Sequence, residues 1–228
     1  MSLAKNLLAI AVTAAFAAPA LADDVTFQDY ANGSQAIDYT LFYGDSNSAN
    51  KTGSAGAGGF KTLINGQSFV TYCIDLYQTI SFGTTYTDYS PVSPLTAAFF
   101  TNPNGLNAIS RFLAEGHGIG NSIDSAAFQV AIWELMYETS GTYDVRSTSL
   151  AKGSAFFSGS SEVLDRAQSW ISVLDAATTP FSVYQSRTAQ DIVVTPVPEP
   201  ETYALMAAGL GALGWVARRR KAKDAAKA

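Results

Sequence analysis

The chain has 228 residues, 47% of them hydrophobic, and a formal net charge of −5 from 14 Lys and Arg against 19 Asp and Glu. Between Asp23 and Val197 there are 7 Lys or Arg and 16 Asp or Glu, a formal charge of −9, because the basic residues gather near the C-terminal end. A body this acidic argues against nucleic acid and anionic lipid headgroups as partners, and its aromatic and β-branched content excludes wholesale disorder.

Residues 1–22 have the three parts of a secretory signal peptide. Lys5 supplies a positive charge, an apolar run covers 7–18, and Ala20-Leu21-Ala22 is a small-x-small cleavage site. We therefore expect cleavage after Ala22 and an exported body that begins at Asp23.

The body opens with strand patterns. Residues 37–43 alternate as a strand with one packed face does. Residues 44–59 are rich in Gly, Ser, Asn and Ala, which predicts a flexible surface loop. Residues 60–64 and 67–76 then flank Asn65-Gly66, the dipeptide that supplies the positive φ angles of a tight hairpin turn.

Helical patterns follow the hairpin, and two short strands close the body. The predicted helices cover 108–114, 125–138 and 161–176, with Asp124 as the N-cap of the second, and the predicted strands cover 181–184 and 191–195. Strands, then helices, then strands favour an α+β fold, an antiparallel sheet or sandwich with a helical insertion. We expect this single domain to cover residues 23–195.

Cys73 is the one cysteine of a chain that we expect to be exported. Exported bacterial proteins usually keep no cysteine or an even number, because a lone thiol is a redox liability. Cys73 lies in the middle of a predicted strand that has apolar side chains on both faces. We therefore expect it to point into packed structure.

Gln129 lies in a helix that is apolar most of the way round, which predicts a buried helix. A buried carboxamide has to find partners for its donors and its acceptor, or it costs a few kcal/mol (about 1–3). Gln129 is thus a second polar group that needs a specific partner in the core.

The segments around Cys73 and Gln129 resemble the thioester domain of Gram-positive surface adhesins, in which a strand-borne Cys and a helix-borne Gln condense. The resemblance implies that Cys73 is the thiol, that Gln129 is the acyl donor, and that an amine or hydroxyl of a partner is later acylated. The residues that would pack around the bond are Asp75, Ala131, Ile132 and Trp133.

Besides an unpaired Cys73 thiol that links two chains, which burial of Cys73 would disfavour, two other interpretations of the pair stay open. The scaffold is kept while the bond has been lost, or Cys73 is an ordinary buried thiol and Gln129 an ordinary hydrogen-bonded side chain. In both, the body is a noncovalent structural or polysaccharide-binding surface protein.

The C-terminal end combines a polar motif, an apolar segment and a basic stop. The motif is Val197-Pro198-Glu199-Pro200, the apolar segment covers 202–217, and Arg218, Arg219, Arg220 and Lys221 follow it. As a helix the apolar segment spans about 24 Å, slightly less than the ~30 Å hydrocarbon core of a bilayer. By the positive-inside rule, the basic cluster is expected to stay on the cytoplasmic side of the membrane.

Residues 196–221 resemble the PEP-CTERM sorting domain of Gram-negative bacteria. The resemblance implies an exosortase-type processing enzyme as partner, anchoring in the inner membrane during sorting, and a final place at the cell surface or in an exopolysaccharide-containing matrix. The alternative is an ordinary single-pass membrane anchor after a Pro-containing linker.

Conventional catalysis finds little support in the sequence. His117 is the one histidine, and it lies in a glycine-rich segment that reads as the end of a helix. Glu134 and Glu138 are four residues apart, which predicts a solvated stripe on one helix edge. We therefore expect an exported binding or matrix protein that is not an enzyme and needs no cofactor or metal.

Overall fold

The structure, a computed structural model, describes residues 22–42, 49–92, 104–149 and 153–194. The predicted signal peptide before Ala22, the motif Val197–Pro200, the apolar segment 202–217 and the basic stop all lie outside these residues. Within the described part of the chain, no helix has both the length and the apolar character needed to cross a membrane.

Nine strands and three helices make up the described residues. In chain order they are β1 (Asp23–Tyr30), β2 (Gln35–Phe42), β3 (Ala49–Ala57), β4 (Phe60–Ile64), β5 (Gln67–Cys73), β6 (Thr85–Val92), α1 (Gly105–Ala114), α2 (Ser122–Tyr137), β7 (Ala155–Gly159), α3 (Ser161–Ile171), β8 (Ser182–Gln185) and β9 (Ile192–Val194). Antiparallel sheets with a few helices agree with the expected α+β class.

Six strands form a closed antiparallel sheet in the order β1-β4-β5-β9-β8-β6, with β6 pairing back onto β1. The hairpin of β4 and β5 turns at Asn65-Gly66, with φ angles of 50° and 81°, as predicted. The buried ring of Phe27 meets Phe60 edge-on at 5.4 Å and lies 6.2 Å from Tyr89. These rings fill the interior side of β1.

A second sheet has the order β3-β2-β7 and is also antiparallel. Its edge strand β3 occupies most of the segment that the composition predicts as a loop, so that prediction is wrong. A side chain at Gly53 would place its Cβ 2.6 Å from the Tyr39 hydroxyl, and one at Gly56 would collide with Tyr30. The strand has small residues at these positions because tyrosine rings lie across it. Strands β1, β6 and β7 were also not predicted from the sequence.

Helix α2 contacts β5 of the closed sheet and β2, β3 and β7 of the other, and it packs on α1 and α3. It begins three residues earlier than predicted, because Asn121 and not Asp124 is the N-cap: the Asn121 side chain accepts the N–H groups of Ile123 and Asp124, each at 2.9 Å. Asp124 instead accepts the Gly120 N–H at 3.1 Å and pairs with Arg166 of α3.

Glu134 and Glu138 do not form a solvated stripe, because both are buried in α2, at 0% and 2% exposure. Glu134 accepts the Asp144 N–H at 2.7 Å, and Glu138 accepts the Ser140 N–H at 2.9 Å. The two carboxyls thus fix the chain that leaves the helix. Burial raises the pKa of Glu134 to about 8, although its bond to the Asp144 N–H opposes the shift.

The packing of Tyr39 on β3 predicts that Gly53→Ala lowers the free energy of unfolding of the full chain by about 1–3 kcal/mol, because the new methyl group displaces the Tyr39 ring. Gly118→Ala is the matched control, since nothing lies within 4 Å of its added Cβ. Urea unfolding of both variants measures the difference. Equal stabilities would show that Tyr39 does not press on β3.

The raised pKa of Glu134 predicts that the folded chain loses stability as the pH rises. Its pKa is about 8 in the folded chain and ordinarily 4.5, so the folded state holds the proton more tightly and loses stability between those pH values. We expect the unfolding free energy of the wild type to fall by roughly 3–5 kcal/mol from pH 4.5 to 8 through this group. Glu134→Gln, which keeps the acceptor for Asp144, should remove that part of the slope in urea titrations at several pH values.

Candidate functional site

Cys73 is the last residue of β5, where the strand pairs with β9 opposite Ile192. Residues 71–73 are all buried although successive side chains point to opposite faces, so both faces of β5 are covered here, and Cys73 is 1% exposed. The closed sheet on one side and α2 on the other therefore hold the cysteine away from solvent.

Gln129 projects from α2 directly onto the backbone of Cys73. Its Oε1 accepts the Cys73 N–H at 2.9 Å, and its Nε2 donates to the Cys73 carbonyl oxygen at 2.7 Å. The side chain is 0% exposed. The structure thus brings the two residues of the predicted pair together, and the buried carboxamide has found the partners it requires.

The Cys73 thiol has its own contacts. Sγ donates to the Asp75 carbonyl oxygen at 2.9 Å and accepts the Asp75 N–H at 3.3 Å. Burial raises the pKa of the thiol well above its usual range, and the negative charge of Asp75 adds to the shift. The Trp133 indole N–H lowers this pKa but makes no hydrogen bond of normal geometry. At neutral pH the group is a protonated thiol.

Two carboxyls act on the thiol electrostatically, Asp75 and Asp191. Burial raises the pKa of both, and that of Asp191 reaches about 7, with the charge of Asp75 as a further cause. Asp191 accepts the Ser186 N–H at 3.0 Å, and its carbonyl accepts the Ile74 N–H at 3.0 Å. Asp75 was predicted to lie at the site, whereas Asp191 was not, because it comes near the thiol through the pairing of β9 with β5.

Two tyrosines fix the segment that follows Cys73. The Tyr137 hydroxyl accepts the Leu76 N–H at 2.8 Å and donates to the Ile74 carbonyl at 3.4 Å, and the Tyr39 hydroxyl donates to the Leu76 carbonyl at 3.3 Å. The sequence analysis gave neither tyrosine a role at the site. Together they hold the chain from Ile74 to Leu76 against α2 and β2.

The residues predicted to pack around the pair occupy different faces of α2. Trp133 lies one helical turn after Gln129, on the same face, and it stacks on Phe157 at 6.1 Å. Ala131 and Ile132 are both buried at 0% exposure, but Ile132 lies at the edge of that face, three residues after Gln129, and Ala131 lies on the far side of the helix. Gln129 and Asp75 hydrogen-bond to Cys73, and Ile192 pairs with it across the sheet.

A metal centre is not evident around the pair. Among the described residues, no group of three or more His, Cys, Asp or Glu side chains lies close enough together to hold a metal ion. The groups that the site does bring together are a buried thiol and a buried carboxamide, with two carboxyls that act on the thiol electrostatically.

Comparison with known proteins identifies the C-terminal segment. Residues 196–221 match the family model of the PEP-CTERM protein-sorting motif. No curated protein matches the chain. The fold is similar to the solved N-terminal thioester domain of a surface protein from Clostridium perfringens, at 16% sequence identity and a TM-score of 0.39, with 71% of this chain and 98% of that chain covered.

A structural similarity at that level does not carry the neighbour's chemistry to this chain. The match at the C-terminal end is a match to a family model, and it assigns the sorting motif to residues 196–221. The chain carries a PEP-CTERM sorting signal, which indicates processing by an exosortase-type enzyme, export and membrane-associated sorting toward the cell surface.

Proposed function

We propose that this protein is a cell-surface adhesin or matrix component in which Cys73 and Gln129 condense to an internal thioester that later acylates a partner. The observation that carries the proposal is the pair of hydrogen bonds, 2.9 Å and 2.7 Å long, between the Gln129 carboxamide and the backbone of Cys73. They hold the acyl carbon of one residue beside the other, out of water.

Each of the two hydrogen bonds suits one part of the reaction. The Cys73 N–H points at Oε1, the atom on which negative charge develops when the carboxamide carbon is attacked. The Cys73 carbonyl holds Nε2, the leaving nitrogen. The site therefore orients the electrophile before the thiol reacts.

The proposed condensation needs no cofactor, because every atom and proton in it comes from Cys73 and Gln129. Sγ of Cys73 forms a bond to Cδ of Gln129, the Cδ–Nε2 bond breaks, and the thiol proton leaves with the nitrogen as ammonia. Because burial raises the pKa of the thiol, little thiolate is present, and the proton has to be passed on as the bond forms. Asp191, with a pKa of about 7, is a carboxyl able to take up and return a proton near neutral pH.

The second step transfers the acyl group. An amine or hydroxyl of a partner attacks Cδ, the thioester bond breaks, and Cys73 regains its proton as Gln129 becomes an amide or ester to the partner. The reaction happens once per molecule, which suits attachment and not turnover. A protein sorted toward the cell surface would meet such partners after export.

A noncovalent surface protein is the competing proposal. The same two hydrogen bonds satisfy an intact Gln129 carboxamide, so a chain with a free thiol and an unreacted amide is also a stable arrangement. The two proposals differ in one covalent bond, which can be measured directly.

The thioester proposal predicts that trypsin leaves two peptides of the exported full chain joined. Cleavage after Lys61, Arg111 and Arg146 places Cys73 in residues 62–111 and Gln129 in residues 112–146. Mass spectrometry of a digest prepared without reducing agent should find these peptides as one species, lighter by one ammonia than their sum. Methylamine should separate them and add its own mass, less ammonia, to the Gln129 peptide.

Cys73→Ala and Gln129→Glu are the matched controls for this digest, since each removes one reacting group and leaves its partner in place. Both variants should give two separate peptides. Separate peptides of unmodified mass from the wild type, with a thiol that reacts once the chain is unfolded, would overturn the thioester and leave the noncovalent proposal.

The bond also predicts a change in stability. It closes a loop between residues 56 positions apart, which restricts the unfolded chain by up to about 4 kcal/mol. Methylamine treatment should therefore lower the unfolding free energy of the wild type by an amount of this order in urea titrations. The same treatment of Cys73→Ala should change nothing, and an equal loss in both proteins would show that methylamine acts elsewhere.

A further inference from the structure

We infer that a cavity beside the Cys73–Gln129 pair is a noncovalent binding site for a neutral sugar unit. The cavity has a volume of about 440 Å³ and is called here the Tyr72 cavity. Its lining residues are Asn32, Val70, Tyr72, Leu113, Gly116, His117, Ile119, Phe128 and Thr179. They come from β5, α2, the end of α1 and three loops.

Aromatic rings form the deep wall of the Tyr72 cavity. Tyr72 and Phe128 are 2% and 5% exposed, and their ring centroids lie 4.5 Å apart. Phe112 backs Phe128 at 4.7 Å, so the wall is supported from behind. At this exposure the two rings are a rigid backing, and the apolar surface that meets a sugar ring comes mainly from the half-buried side chains of Val70, Leu113 and Ile119.

Polar groups complete the lining at several points. Thr179 is held in place because its N–H donates to the Ser110 carbonyl at 3.2 Å and its carbonyl accepts the Ser110 hydroxyl at 2.7 Å. Asn32 is exposed and presents a carboxamide. These groups offer hydroxyl and amide partners to a ligand without a formal charge.

His117 is oriented by its neighbours. Its ring stacks on Trp170 at 4.6 Å with an interplanar angle of 18°, and its Nε2 lies 2.9 Å from Glu115. Burial lowers the pKa of His117, although Glu115 opposes the shift. The imidazole is therefore predominantly neutral at pH 7, and because Nε2 faces the Glu115 carboxylate as the donor, the other ring nitrogen is an acceptor.

The apolar and uncharged polar groups that line the cavity favour one chemical class of ligand. No Asp, Glu, Lys or Arg is among the described residues that line the cavity, so a phosphate, a carboxylate or an ammonium group finds no counter-charge on the wall. A purely apolar ligand would leave the amide, hydroxyl and imidazole groups unpaired. A neutral sugar has apolar ring faces and hydroxyls at its edges, and it satisfies both kinds of lining.

The Tyr72 cavity is separate from the thioester proposal. Tyr72 alternates with Cys73 along β5, so the two side chains lie on opposite faces of the strand. Phe128 directly precedes Gln129 on α2. A ligand in the cavity thus lies next to the pair without touching the thiol, and it would be held whether or not the thioester forms.

Isothermal titration calorimetry of the full chain tests the inference. The protein is kept in a phosphocholine detergent, because sugar-based detergents would compete, and is titrated with cellobiose, maltose, lactose and N,N′-diacetylchitobiose. We expect at least one to bind. Thr179→Ala should weaken that binding about fivefold, as the loss of one hydrogen bond does. Thr178→Ala, at the exposed neighbouring position, is the matched control and should leave the Kd unchanged.

A variant that fills the cavity makes the test independent of any single hydrogen bond. Leu113 is only partly buried, so Leu113→Trp should occupy the cavity and abolish binding while the circular dichroism spectrum stays that of the wild type. Binding at the wild-type Kd in this folded variant would place the sugar elsewhere. No heat with any of the four disaccharides, or tighter binding of glucose 6-phosphate than of all four, would overturn the inference.

Discussion

The rest of the structure depends on the complete burial of α2. From Asp124 to Tyr137 the helix has no solvated face, so its polar side chains have to find partners within the protein itself. Gln129 bonds to the backbone of Cys73, Glu134 to the Asp144 N–H, and Tyr137 to the chain at Leu76. These bonds go to three different segments, so α2 sets the positions of β5, of the chain after it and of the loop that leads to β7.

The same constraint explains the candidate site. Gln129 lies at Cys73 because a buried carboxamide needs a donor and an acceptor close together, and the end of a strand offers both from one residue. That arrangement satisfies the carboxamide in the unreacted chain, and it is also the starting geometry of the condensation that we propose. The two roles therefore share one set of contacts, which is why mass, and not geometry, distinguishes the two proposals.

Much of the fold could be predicted from local patterns, and the failures have physical causes. Asn65-Gly66 predicts its hairpin because the turn chemistry is local. The strand β3 could not be predicted, because its glycines are needed by tyrosines that are distant in sequence. Glu134 and Glu138 look like surface residues until the partners that bury them are known. The Cys73–Gln129 contact was predicted by resemblance, whereas Asp191 enters the site through the pairing of β9 with β5, which no local pattern reveals.

The place of β9 has a mechanical consequence. β9 ends at Val194, just before the sorting motif at 196–221, and it pairs with β5 on one side and β8 on the other. Tension on a tail that is held at a membrane or surface would therefore reach the domain through β9. The load would pass into the ladder that joins Ile192 to Cys73. In a chain with the thioester, the covalent link from Cys73 to Gln129 would carry that load directly into the central helix.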